Sequence, residues 1–188
     1  MEDADLLQKI RIGDKAAFNQ LVMLYGNKVL NTCYRFLLDK EDAEDISQEV
    51  FIEVFQSAKS FRGEAKLSTW IYRIAVTKSL DEIKKRNRKK RVAALGKALH
   101  LDTIIHWISG GTMPDKAMQE NENMQEIMRA LDKLSDNQRV AFTLSKIEGY
   151  SNKEIAEIMN TSIIAVESLV SRAKKKASDE LKKILEKH

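Results

Sequence analysis

Apolar residues recur at three- and four-residue intervals along most of this chain, the spacing that lines one face of an α-helix. Leu6, Leu7 and Ile10 open the pattern, followed by Phe18, Leu21, Val22, Leu24 and Tyr25, then by Val29, Leu30, Cys33, Tyr34 and Leu37. The next helix is predicted over residues 42–57. At 100° per residue, Ala43, Ile46, Val50 and Val54 share one side of it. Glu41, Asp42, Asp45, Gln48, Glu49 and Glu53 gather on the other, with Ile52 among them. An apolar side chain inside an acidic face points to a contact surface. The loop Ser60-Phe61-Arg62-Gly63-Glu64 then leads into a helix from about Ser68. Over residues 92–125 the period is lost: Gly110-Gly111 and Pro114 break helix, and only residues 101–108 are apolar enough for a short one. This reads as a linker long enough to have a role of its own, with Trp107 as a packing residue.

The period returns over residues 126–188, beginning with Leu131, Leu134, Val140, Ala141, Leu144 and Ile147. Ser135-Asp136-Asn137-Gln138 and Ser151-Asn152-Lys153-Glu154 both have the spacing of a capping box. Gly149 is placed to stop one helix, and Asn160 to take the left-handed turn that ends the next. Ser162 can cap the last helix, which turns Val166, Leu169, Val170 and Ala173 inward. Two capped helices, a small Ala156 where they touch and a tight turn predict a helix-turn-helix. A plain helical hairpin is the other reading of the same spacing. In the first geometry the second helix enters the major groove. Its outward positions are Ile163, Ile164, Glu167, Ser168, Ser171, Arg172 and Lys175. Arg172, Lys174, Lys175 and Lys176 can neutralise phosphates, while Ser168 and Glu167 can reach base edges.

Charge sharpens this picture. The 188 residues carry a net charge of only +4, but unevenly. Residues 39–53 hold seven acids and one base, seven of the eight residues 84–91 are basic, and residues 172–187 are net +4. Each run alone is compatible with a solvated helix face. Two basic blocks far apart suggest two contacts with a polyanion, and the acidic block suggests a protein partner.

Composition sets the outer bounds. With 32% charged and 43% apolar residues, the chain is neither a disordered polyampholyte nor a membrane protein. No apolar run approaches the roughly 18 residues of a membrane span. The acidic start Met1-Glu2-Asp3-Ala4-Asp5 lacks the features of a signal peptide. The single Cys33 excludes an internal disulfide framework and fits a reducing cytoplasm. The fold class expected is all-α: two small helical domains, residues 1–91 and 126–188, joined by a flexible linker over residues 92–125.

Enzymatic chemistry finds no support. His100, His106 and His188 stand in no Glu-x-x-His arrangement, Cys33 lacks zinc-ligand partners, and no phosphate-binding glycine loop occurs. No catalysis, cofactor or metal is therefore expected. Around the loop, Phe61, Arg62, Trp70, Tyr72 and Arg73 place aromatics beside cations, which suits single-stranded nucleic acid, because unstacked bases need a π-surface. Trp70 and Tyr72 fit a hydrophobic core equally well.

These segments together resemble a known family. The run Asp42-Ala43-Glu44-Asp45-Ile46-Ser47-Gln48-Glu49-Val50-Phe51 resembles region 2.2 of the bacterial sigma-70 family. Phe61-Arg62-Gly63, with Ser68-Thr69-Trp70-Ile71-Tyr72-Arg73-Ile74-Ala75, is similar to region 2.3 running into 2.4. Gln138-Arg139, Glu148-Gly149-Tyr150-Ser151, Glu154-Ile155-Ala156 and Ser171-Arg172-Ala173 are similar to region 4. The likeness spans about residues 8–91 and 120–183 in family order. The lack of room for regions 1.1 and 3 points to the compact extracytoplasmic-function (ECF) group.

The resemblance implies a factor that binds core RNA polymerase, recognises −35 and −10 promoter elements and promotes DNA melting. Asp42, Asp45, Gln48, Glu49 and Ile52 would contact the β′ clamp helices. Phe61, Arg62, Gly63, Ser68, Thr69, Trp70, Arg73, Ala75 and Thr77 would read the −10 element with a base out of the stack. Lys84, Lys85, Arg86, Arg88 and Lys89 would hold its phosphates. Ser162, Ile164, Glu167, Ser168, Ser171, Arg172 and Lys175 would meet the −35 duplex, with the β flap as a further partner and the linker in the polymerase cleft. An anti-sigma factor is a further expected partner, and no membrane insertion is expected. Relatives often carry Asn at Thr77 and Lys or Arg at Glu167, so this chain departs from the pattern at a −10 and a −35 position. The alternative is a dimeric helix-turn-helix regulator acting on duplex DNA without polymerase. It makes the acidic helix and the aromatic loop dispensable for DNA binding.

Overall fold

Helix boundaries in the structure, a computed structural model, follow from short-range hydrogen bonding. It describes residues 3–61, 63, 65–98 and 122–185. The short helix expected at residues 101–108, Trp107, Gly110-Gly111, Pro114 and Arg62 lie outside them. Helix α1 spans Asp3–Arg11. Before α2 (Lys15–Leu37), the Asp14 carboxylate accepts from the amides of Ala16 and Ala17 at 2.8 and 3.2 Å. Those donors would otherwise have no partner in the first turn. Helix α2 closes at Leu38 with φ 56°, its amide donating to the Tyr34 carbonyl at 2.7 Å. Asp39 at once restarts the chain, accepting from the Asp42 amide at 3.0 Å to open α3 (Lys40–Ser57). A short 3-10 turn, Ala58–Ser60, precedes the loop into α4 (Leu67–Ala98).

The remaining helices are α5 (Glu122–Asp132), α6 (Asp136–Phe142), α7 (Asn152–Met159) and α8 (Ile163–Leu185). Both anticipated capping boxes form. The Gln138 side chain accepts from the Ser135 amide at 3.2 Å, and Ser151 and Glu154 cap α7 reciprocally. A π-helical turn, Thr143–Ile147, extends α6 to Ile147, and Gly149 follows two residues on with a φ of +77° that strains any L-side chain. Asn160 ends α7 at φ 50°, and the Ser162 hydroxyl accepts from the Ala165 amide at 3.2 Å to start α8. No strand occurs among the described residues. No helix among them is long and apolar enough to cross a membrane.

In the first unit α2 lies against α3 and α4, burying Leu21, Val29, Cys33, Phe36, Val50, Val54 and Ile71. In the second, α8 packs across α5, α6 and α7 around Leu131, Val140, Leu144, Ile155, Val166 and Ala173. The two units then meet: α7 lies on α4 and α6 on α2. Val140, Leu144, Ile155, Ile158 and Val166 thereby join the first unit's apolar core. Both ends of the segment expected as linker are helical, since α4 runs to Ala98 and α5 begins at Glu122. Val92-Ala93-Ala94-Leu95 holds strong helix formers and no breaker, so nothing local stops α4 at residue 91.

Cys33 is wholly buried in the C-terminal half of α2, and burial pushes its thiol up to about 12. The thiolate is the reactive species. An aromatic disulfide reagent at pH 8 will therefore leave the native chain unmodified and titrate one thiol after unfolding; rapid native labelling would contradict the packing of α2.

Candidate functional site

Alternation of acid and apolar positions along α3 splits it into a buried and an open side. Ala43, Ile46, Val50 and Val54 face the core, while Asp45, Gln48 and Glu49 face outward and Ile52 is 56% exposed. The inner edge of the acidic side is balanced from α4. Lys78 lies 3.3 Å from Glu49 and 3.8 Å from Glu53. Arg86 ion-pairs with Asp42, lies 3.5 Å from Asp39 and donates to the Leu37 carbonyl at 3.2 Å. The guanidinium of Arg86 thus ties the α2–α3 corner to α4, joining two positions the sequence assigns to different partners.

The loop before α4 is held from α1. Arg11 donates from Nε to the Ala58 carbonyl at 3.2 Å and from Nη2 to the Phe61 carbonyl. Phe61 stacks on Trp70 with centroids 4.4 Å apart and planes 21° apart. Gly63 is exposed at φ +79°. Tyr72 is 2% exposed and meets Tyr150 edge-on at 5.3 Å, which settles it as a core residue. Thr69 and Ala75 are also buried, so in this arrangement neither is open to a ligand. Ser68 is half-buried, and Arg73 donates twice to the Glu157 carbonyl at 3.0 and 2.7 Å. Thr77 is exposed and donates to the Arg73 carbonyl at 2.9 Å. Further along α4, Lys84 and Lys85 pair with Asp81 and Glu82 at 3.0 and 2.8 Å, and Arg88 and Lys89 are exposed. Exposed pairs of this kind are worth little and exchange readily for other anions.

The outer face of α8 is open. Ser162, Ile163, Ile164, Glu167, Ser171, Arg172 and Lys175 are exposed, with Ile164 at 79%. Arg172 donates to the Ser168 hydroxyl at 2.6 Å, one turn earlier. The helix therefore presents hydroxyls and an apolar pair near its N-terminus and cations further on.

Between the units lies a set of polar contacts that the sequence did not disclose. Glu148 accepts from Thr32 Oγ1 at 2.6 Å, from Arg35 Nη1 at 3.3 Å and from the Tyr72 hydroxyl at 3.1 Å. Its side chain is 15% exposed, and Thr32 lies 116 residues earlier. Burial, chiefly, raises the Tyr72 hydroxyl above its ordinary range. Arg139 is 7% exposed, donating to the Phe36 carbonyl at 2.8 Å and to Asp136 at 2.9 Å; burial lowers its guanidinium against the pull of Asp136. Lys66 meets Glu154 at 2.8 Å. That ammonium, with the Ser151 amide and hydroxyl, holds the Glu154 carboxyl well below the usual carboxylate range, at about 2. A cleft of about 370 Å³ separates Arg73, Thr77 and Lys84 from Ile158, Met159 and Asn160. Among the described residues, no cluster of His, Cys, Asp or Glu could hold a metal ion.

Two family models match the chain. Residues 21–89 match Sigma-70 region 2 and residues 124–176 match Sigma-70, region 4. The chain is 31% identical to the ECF RNA polymerase sigma-E factor of Haemophilus influenzae, over 98% of each chain. It is 30% identical to the ECF RNA polymerase sigma factor SigW of Bacillus subtilis, over 94% of this chain and 95% of that one. Its fold is that of the sigma factor RpoE of Bartonella quintana, solved with the anti-sigma factor NepR. The TM-score is 0.68 at 23% identity, over 88% of this chain and 96% of that one. With acidic helix, aromatic loop and helix-turn-helix in this order and these relatives along nearly its whole length, the chain belongs to the ECF sigma factors of the sigma-70 family.

Proposed function

We propose that this chain is a transcription initiation factor, not an enzyme, that docks on core RNA polymerase through α3 and reads promoter DNA with its other two faces. The observation that carries this reading is the outward side of α3, where Ile52 is 56% exposed among Asp45, Gln48 and Glu49. An apolar anchor ringed by charge is the arrangement of a protein-binding hot spot. It fits a basic coiled coil such as the β′ clamp helices, with Asp42 and its Arg86 partner at the margin. Phe61, Gly63 and Trp70 form the base-binding end of the −10 surface together with Arg62, Ser68, Arg73 and Thr77, while Thr69 and Ala75 support it from within. Lys84, Lys85, Arg88 and Lys89 track the strand, and the outer face of α8 meets the −35 duplex. Residues 1–91 and 126–188 are the two working units, residues 92–125 link them through the polymerase, and the β flap receives the second. The complex that RpoE of Bartonella quintana makes with an anti-sigma factor supports a similar partner here, in the cytoplasm.

Transcription of fragmented genomic DNA by the core polymerase of the host bacterium, with and without the chain, tests the reading through the mapped RNA 5′ ends. New starts that share paired upstream motifs at fixed spacing are expected. No new starts, together with tight duplex binding by the chain alone, would favour the dimeric regulator instead. On a promoter so recovered, Lys85→Glu with Arg88→Glu will weaken the strand-separated complex and flatten the dependence of log K on log salt by about two units of slope. An unchanged slope would remove these residues from the phosphate track.

A further inference from the structure

The exposed cations of α8, Arg172, Lys174, Lys175 and Lys176 among them, all follow Ser171. Nearer its N-terminus the open side of the helix holds one charge, and it is negative. Glu167 is exposed there, and its carboxylate makes no hydrogen bond or ion pair among the described residues. Helical spacing gives the reason: the positions three and four away, Ile163, Ile164, Val170 and Ser171, are all uncharged. The nearest guanidinium, that of Arg172, donates instead to the Ser168 hydroxyl at 2.6 Å. Nor does Glu167 serve the helix itself, since it lies beyond the first turn, where a carboxylate offsets the positive end of the helix dipole. Carried towards a duplex, an unpaired carboxylate is repelled by the phosphates. Ile163 and Ile164, 44% and 79% exposed, also displace water from around it, which raises the cost of leaving it unmet. The charge is tolerated only where a base edge donates to it.

A carboxylate accepts hydrogen bonds and donates none. In the major groove guanine presents acceptors alone, thymine an acceptor and a methyl group, and adenine an amine beside the N7 acceptor. Cytosine presents its N4 amine with no acceptor next to it. We propose that Glu167 sets the base preference of α8, selecting a C·G pair at one position of the −35 element through the cytosine N4 amine. This deepens the function proposed above and rests on its assignment of α8 to the −35 duplex. Guanine, thymine and adenine at that position each turn a lone pair towards the carboxylate, so they are actively rejected. Discrimination then comes from repulsion of the wrong bases as much as from attraction to the right one. Arg172 and the lysines after it supply affinity that is blind to sequence, and Glu167 supplies the choice.

Selection from randomised DNA duplexes tests this, with the full chain assembled on core polymerase and with the full chain alone, the recovered duplexes being sequenced. The wild-type assembly should enrich an upstream motif in which one C·G position is favoured about tenfold over the other pairs. Glu167→Gln replaces the carboxylate by an amide that can bond adenine at N6 and N7, so that position alone should change to A·T while the rest of the motif stays. Glu167→Ala should leave the position without preference. A wild-type motif lacking such a C·G pair, an unchanged motif in both variants, or a loss of preference spread over every position would overturn the proposal. A motif from the chain alone, with none from the polymerase assembly, would sink the function proposed above. The change at one base pair of the chain-alone motif would then decide the role of Glu167. Enrichment by neither form would overturn both.

Discussion

Asp45→Lys combined with Glu49→Lys will lower affinity for core polymerase by about 100-fold and abolish promoter-specific transcription, while helix content and thermal stability stay near those of the parent. The expected size follows from charge complementarity. Reversing a charge replaces an attraction by a repulsion, and disrupting close interfacial pairs costs about 2–5 kcal/mol. Stability is spared because both carboxylates point outward. Asp45 carries none of the hydrogen bonds that shape α3, and Glu49 gives up only a long contact to Lys78. Competition against the parent chain for limiting core enzyme measures the effect. Undiminished competition would show that α3 is not the docking face, whatever the transcription assay reports.

Phe36→Ala will cost about 3–5 kcal/mol, the range for removing a fully buried aromatic ring. The ring has no exposed surface, and the carbonyl of the same residue accepts from Arg139 of α6. Against a total of about 5–15 kcal/mol for a domain, such a loss brings the chain close to unfolding at growth temperature. Urea titration followed by circular dichroism will show a large fall in midpoint. Because the units share one apolar core, the loss should appear in a single transition, and two separate transitions in the parent would show that their packing is weak.

The two predictions differ in where their grounds lie. Those for α3 were legible in the chain: the acid and apolar positions alternate with the helical period, and Ile52 stands among acids on any helix drawn through them. The caps Ser151 and Ser162, the stop at Gly149 and the turn at Asn160 were legible for the same reason, since each is decided by neighbours within four residues; the Asp39 cap, three residues before the expected start of α3, was not. Trp70 and Tyr72 were not, because an aromatic at helical spacing serves a core and a base equally well. Only packing placed Tyr72 inside against Tyr150 and Trp70 half-buried on Phe61. Thr69 and Ala75 belong with them: the motif names the positions but does not say which way the helix is turned. Nor did the loss of apolar period after residue 91 end α4, because helix propensity carries it to Ala98.

By itself, then, the sequence determined the all-helical class, the ends of the helices around the turn at Asn160, the acidic, basic and helix-turn-helix faces and their order, because capping, periodicity and charge act over a few residues. Only the tertiary structure decided that Arg86 serves Asp42, that Arg11 steadies Phe61 and that Glu148 is met by Thr32, Arg35 and Tyr72. These contacts join residues from 44 to 116 positions apart. No local rule selects such partners; the burial of a shared core brings them together and removes the water that would otherwise satisfy each one separately.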